Sequence, residues 1–101
     1  MVQAMGTALW EELKLKDGRV MNPSFVDYKI PTFDDMPEMI VEAVENAEPT
    51  GPYGARGIGE IVMVPGAPAI ANAVTNATGV RFTRMPLMPD VVLAALKAAK
   101  K

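Results

Sequence analysis

Between residues 49 and 59 the chain carries Pro49, Gly51, Pro52, Gly54, Gly57 and Gly59. Each proline fixes φ and lacks an amide proton, and each glycine costs a regular element conformational entropy. Neither a helix nor an interior strand tolerates that density. The stretch is expected to be a long loop, and it ends on a carboxylate, Glu60. Every other element has to be placed before or after it.

Upstream, Val2, Met5, Leu9 and Leu13 recur at helical spacing with Glu11 and Glu12 off the stripe, which predicts a helix over 1–13 that begins without a cap. Lys16-Asp17-Gly18-Arg19 between apolar flanks predicts a hairpin, because Asp-Gly accepts the positive φ angles of a tight turn. Residues 25–30 and 39–44 read as short extended stretches, the second with helix as a competitor, and the Asp- and Pro-rich 31–37 as a connection. Downstream, a helix is expected from about Gly66 to Thr78, with Ile70, Val74 and Ala77 on one face and Gly79 as its stop. Residues 80–85 read as a strand. Pro89 then opens a last helix with Asp90 in its first turn, Lys97, Lys100 and Lys101 near its end, and Val92, Leu96 and Ala99 as its buried stripe. The class is α+β: a helix, a β-hairpin and short strands, the Gly-rich loop, then helix–strand–helix, over residues 1–101 as one partial domain.

Composition narrows the chemistry. Half of the residues are apolar and 22% are charged, which marks a folded chain. Eight methionines either fill gaps in a core or line a surface that other protein covers. The net charge of −2 and scattered Lys and Arg argue against a nucleic-acid surface. No apolar run is long enough for a membrane span and no leader is evident, so a cytoplasmic location is expected. Cys and His are both absent, which removes disulfides, zinc fingers, thiol nucleophiles and His-based triads. A metal would need carboxylate ligands or a cofactor that brings its own, and carboxylates are the remaining acid–base groups near neutrality.

Gly51-Pro52-Tyr53-Gly54-Ala55-Arg56-Gly57-Ile58-Gly59-Glu60 is the informative stretch. Its small residues let a backbone approach something closely, and it delivers one carboxylate ahead of a helix. It is not a phosphate cradle, since no Gly-Lys-Ser/Thr follows and position 62 is Val where a dinucleotide fingerprint has Gly. On chemistry alone Glu60 is either a solvated surface acid or a delivered catalytic one.

Gly-Ala-Arg-Gly-Ile-Gly-Glu at 54–60 resembles the Gly-x-Lys/Arg-Gly-x-Gly-Glu motif of the molybdopterin-binding subunits of xanthine dehydrogenase and aldehyde oxidase type molybdenum hydroxylases. Val2-Gln3-Ala4-Met5-Gly6 is similar to that family's Gln-Gly-x-Gly segment, with Ala4 in place of Gly, and Ala8-Leu9-Trp10-Glu11-Glu12 to its next segment. Asp17-Gly18-Arg19, Asp27-Tyr28-Lys29-Ile30-Pro31 and Asp34-Asp35-Met36-Pro37 follow the same pattern. So do Ala69-Ile70-Ala71-Asn72-Ala73-Val74, Thr78-Gly79-Val80-Arg81 and Pro86-Leu87-Met88-Pro89. Ile61-Val62-Met63 departs from it, where small residues are usual.

The resemblance implies the C-terminal part of a molybdopterin-binding domain, with molybdopterin as cofactor and Fe–S clusters and FAD on other domains or subunits. It implies oxidation of a purine, another N-heterocycle or an aldehyde by metal-hydroxide attack and hydride transfer, with Glu60 as general base. Gln3, Gly57 and Gly59 are the implied cofactor contacts, and no residue of this chain is an expected metal ligand. Gln3 has a plainer reading as a solvent-facing helix-end amide, and Arg56 either meets a cofactor phosphate or braces its loop. Tyr53 and Trp10 read as packing residues. The implied partners are the remainder of the subunit, iron–sulfur and flavin subunits and a small-molecule substrate, with self-association and no turnover expected of the chain alone. The alternative is a non-catalytic structural or interaction module.

Overall fold

The structure, a computed structural model, describes residues 1–100. Its regular elements are helix α1 (Val2–Leu9), strands β1 (Leu15–Lys16) and β2 (Arg19–Val20), helix α2 (Met63–Thr78) and helix α3 (Pro89–Ala99). Two 3-10 turns, Phe33–Asp35 and Pro52–Gly54, punctuate the long connection from β2 to α2. The class is α+β, as expected.

The helix pair α1–α2 holds what core there is, and small residues set its geometry. Ala4 and Ala8 are buried, and a Cβ added at Gly66 would overlap the methyl group of Ala4. The two backbones come this close because position 66 has no side chain. The expected apolar stripe of Val2, Met5, Leu9 and Leu13 is not what α1 buries most: Ala4 and Ala8 are buried on one side of the helix, and Gly6, nearly opposite them, lies under Glu11 and Pro31. A crossing this close has room for methyl groups, and the larger residues splay to its rim.

Helix α1 also stops at Leu9 instead of continuing to Leu13. Trp10 and Glu11 both donate their N–H groups to the Gly6 carbonyl, at 2.9 and 2.8 Å, which closes the helix. The Glu11 carboxylate then lies against Gly6 and accepts the Tyr28 hydroxyl at 2.8 Å. That hydrogen bond, with desolvation and the Glu11 charge behind it, raises the Tyr28 phenol above its ordinary value.

The hairpin forms as read. Asp17 and Gly18 have φ of 50° and 74°, and Leu15 pairs with Val20 and Lys16 with Arg19. Asn22 is buried beside it, donating to the Glu12 carbonyl at 2.7 Å and accepting the Lys14 amide at 2.9 Å. The Leu87 amide donates to the Ala8 carbonyl at 2.7 Å and buries its side chain on the same core.

Three stretches expected to be strands are not. Residues 25–30 turn back, with Asp27 and Tyr28 both donating to the Ser24 carbonyl, while 39–44 and 80–85 adopt no regular structure. A strand exists through its partner's hydrogen bonds, and none of the three finds one among the described residues. The helix–strand–helix ending is therefore helix–connection–helix.

Helix α2 starts at Met63, earlier than Gly66, because Pro65 falls in the first turn, where no amide is needed. Pro68 lies inside and removes the donor for the Val64 carbonyl. Gly79 closes α2 in the left-handed conformation, φ 73°, donating to the Thr75 carbonyl at 2.8 Å. Ile70 and Val74 are half-buried and Ala77 is exposed. In α3, Pro89, Asp90 and Lys97 stand as expected, Val92 and Leu96 are half-buried, and Ala99 is exposed. Lys101 lies outside the described residues.

The whole is open. Its radius of gyration is 17.5 Å, against ~13 Å for a compact chain of this length. Phe33, Ile40, Val41 and Val44 are all exposed. No helix among the described residues is long and apolar enough to cross a membrane.

Candidate functional site

The Gly-rich loop is closed on itself by Glu48. The Glu48 amide donates to the Gly54 carbonyl at 3.0 Å, and its own carbonyl accepts the Gly51 amide at 3.1 Å. One carboxylate oxygen accepts the Thr50 hydroxyl at 2.8 Å, and the other sits 3.3 Å from the Arg56 guanidinium. Arg56 also donates from Nε to the Asn46 carbonyl at 2.5 Å. Arg56 is thus a loop brace in this chain. Its partner Glu48 stands outside the motif, so local sequence did not mark it.

Gly54 takes φ 73°, and Tyr53 is forced to φ 54°, a region that bulky residues rarely adopt. Tyr53 projects into solvent at 109% exposure, so it does not pack on this chain as expected. It borders an open cleft of about 450 Å³, together with Val44, Arg56, Gly57, Ile58 and Ile61. Trp10 is half-buried.

Beyond the brace, residues 57–60 run out as an arm toward α2. A Cβ at Gly57 or at Gly59 would meet nothing within 4 Å, and neither residue has a positive φ. Nothing among the described residues requires glycine at these two positions. Glu60 closes the arm, and its carbonyl accepts the Met63 amide at 2.9 Å, just before α2 begins. The start of α2 has no side-chain cap, and of its first amides that of Met63 is already donated and Pro65 has none.

Gln3 meets Glu60 there. Its Nε2 lies 3.4 Å from Glu60 Oε1 across 57 residues of sequence, with both side chains exposed. The contact follows from the helix crossing, because Gln3 adjoins Ala4, which touches Gly66, and Glu60 sits at the foot of α2. Ala4, where the motif has Gly, turns its methyl group into that crossing and is 3% exposed. The four implied site residues thus lie on the first turn of α1 and the arm before α2. Among the described residues no group of three or more His, Cys, Asp or Glu could hold a metal ion.

Residues 1–37 match the model of the molybdopterin cofactor-binding domain. The chain is 44% identical over 91 residues to the xanthine dehydrogenase molybdenum-binding subunit of Escherichia coli, covering 88% of this chain and 12% of that protein. It is 37% identical to the aldehyde oxidoreductase molybdenum-binding subunit of the same species, over 95% of this chain and 14% of that one. Among solved structures, quinoline 2-oxidoreductase from Pseudomonas putida 86 superposes with a TM-score of 0.84 at 29% identity, covering 95% of this chain and 13% of the other. The chain therefore spans only about an eighth of the length of the curated relatives it matches. These likenesses run along nearly all of the chain, which is similar throughout to one stretch of the molybdopterin-binding subunits of xanthine dehydrogenases and aldehyde oxidoreductases.

Proposed function

We propose that residues 1–101 are the C-terminal part of the molybdopterin-binding domain of a molybdenum hydroxylase. In this reading Glu60 is the general base for the oxidation of a purine, another N-heterocycle or an aldehyde. The observation that carries it is the meeting of Gln3 and Glu60 at 3.4 Å, beyond an arm where a side chain at either glycine would meet nothing among the described residues. Local folding leaves those glycines unexplained, whereas close approach of a flat cofactor to the arm explains both.

The residues fit such a group. They offer hydrogen-bond donors, open backbone and a carboxylate. A molybdenum centre held by pterin dithiolene sulfurs asks for just that environment. When bound, it supplies Lewis acidity and takes up two electrons from the substrate. Gln3 would hold the cofactor with the amide proton not turned toward Glu60. Gly57 and Gly59 would admit the cofactor to backbone contact distance. Glu60 would take the proton from the attacking oxygen at Oε2, the carboxylate oxygen that Gln3 does not engage, with Gln3 fixing its orientation.

Fe–S clusters and FAD on other domains or subunits would supply the route for those electrons, within a cytoplasmic assembly. Alone, this chain lacks most of the cofactor's contacts, so it does not turn over, and its exposed apolar residues drive self-association. That same surface favours a second reading, a non-catalytic interaction module.

Glu60→Gln in the complete enzyme separates the two. The base reading expects cofactor content near normal and turnover lower by ~10²-fold or more. The loss should fall on substrate oxidation and not on reoxidation of the enzyme. Near-normal substrate oxidation with full cofactor would overturn it.

A further inference from the structure

From residue 36 to residue 48 the chain runs without a turn, bend or helix. Among the described residues, no backbone amide or carbonyl of residues 37–45 enters a backbone hydrogen bond. The run is nevertheless tied at both ends. Pro37, Met39 and Ile40 lie along the groove between α1 and α2, beside Met5 and Ile70. Asn46 is held by Arg56, and Glu48 by the closed loop. A stretch of open backbone is thus held out between two anchors.

Its side chains are those of a strand. Met39, Val41 and Ala43 alternate with Ile40, Glu42 and Val44, so both faces are largely apolar, the pattern of a strand covered on both sides. Beyond the groove at Met39, little among the described residues covers them: Ile40 is 79% exposed, Val41 75% and Val44 93%. Residues with this preference lack only a hydrogen-bonding neighbour.

We infer that residues 38–45 are a β-strand completed by a strand from the part of the larger subunit that lies outside this chain. Two observations select that partner over a second copy of the chain. The chain covers 12% of its curated relative, so most of the protein around this segment is elsewhere. The open conformation also superposes at a TM-score of 0.84 on a piece of a far longer solved chain, so this is a shape held inside a larger protein. Main-chain pairing would supply the attraction, and the alternating apolar side chains the register.

The inference rests on the chain being part of a larger subunit but not on the role of Glu60. Hydrogen–deuterium exchange on the complete, cofactor-loaded subunit tests it. Amides 39–44 are expected to exchange at least ~10²-fold more slowly than an open loop, because paired strands open only by substantial local unfolding. The protection should be independent of protein concentration and unchanged by Glu60→Gln. Loop-like exchange would overturn the inference, and so would protection that rises with concentration, the signature of a second copy. Glu42→Pro and Ala43→Pro, made singly, should lower the melting temperature in at least one case, while Ala43→Ser should not; equal melting of all three would also overturn it. If a proline variant does not fold, exchange in the unmodified subunit decides.

Discussion

Gln3 Nε2 lies 3.4 Å from Glu60 Oε1 although 57 residues separate them in sequence. The bond is long and exposed, so its contribution is orientation more than strength. Its geometry is inherited from the contact next door, where the Ala4 methyl fills the space left by Gly66. On the proposed mechanism, Gln3→Leu in the complete enzyme should lower turnover by about fivefold, the scale of one net hydrogen bond of ~1 kcal/mol. That is far less than the loss expected for Glu60→Gln. Rapid-mixing measurements of substrate oxidation on both variants check the ranking, and equal losses would count against an orienting role.

The helix crossing makes a separate prediction. Gly66→Ala puts a methyl group where Ala4 already has one, and should destabilise the chain by ~1–3 kcal/mol, the usual cost of overpacking. Ala4→Gly in the same molecule should recover much of that, because the two sites touch and their effects couple. Chemical denaturation of the wild type, both single variants and the double variant, followed by circular dichroism, measures the coupling. Additive effects would show that the two helices do not meet at these residues.

Glu48 is a nearby carboxylate outside the motif, but it is not an idle one. It joins Thr50, Gly51, Gly54 and Arg56 and so closes the loop that carries the arm. Its ion pair with Arg56 is partly exposed and by itself worth no more than ~1 kcal/mol. Glu48→Ala removes the hydroxyl acceptor as well, and should speed amide exchange across residues 50–56 several-fold. Arg56→Lys keeps the charge yet loses the fork that reaches both Asn46 and Glu48, so it should loosen the loop nearly as much. Unchanged exchange in both variants would show that the loop stands on its backbone bonds alone.

What could be read from the sequence was what is decided locally. Asp17-Gly18 needs only its own two φ angles to make a turn, Gly79 only its own left-handed conformation to end α2, and Pro89 only its fixed φ to start α3. The motif at residues 54–60 was legible for the same reason, since its residues are contiguous. What went unread depends on distant partners. Residues 39–44 and 80–85 have strand composition but no neighbouring strand among the described residues, and composition does not supply one. Leu13 fits the α1 stripe, yet the Gly6 carbonyl ends the helix by accepting two amides, with Glu11 folded back over the same residue. Pro65 and Pro68 hid the start of α2, although the first turn has no use for the amide that Pro65 lacks. At the site, Glu60 and Gln3 were each visible alone. Their meeting, and the Ala4–Gly66 contact behind it, are properties of the packed pair of helices.

The connection before the open strand carries a pH-sensitive brace. Asp35 Oδ2 accepts both the hydroxyl and the amide of Thr32, each at 2.7 Å, while the Asp35 amide donates back to the Thr32 carbonyl at 3.1 Å. The Thr32 hydroxyl first, and its amide second, hold the Asp35 carboxyl below the usual aspartate value; slight desolvation opposes them. Because the folded form binds its proton less tightly than the unfolded one, the brace contributes fully above the ordinary aspartate value of ~3.9. It is lost only as the pH falls through the lowered value. Neutral pH is well inside the stable range, so the brace should hold there without any pH dependence. The group is exposed, so the readout has to be local. The Thr32 amide resonance in a nuclear magnetic resonance titration should shift with a midpoint below ~3.9. Asp35→Asn should abolish that shift and release the amide, since a neutral carboxamide is a weaker acceptor for two donors at once. A Thr32 midpoint at or above the ordinary aspartate value would mean that the two hydrogen bonds do not form in solution.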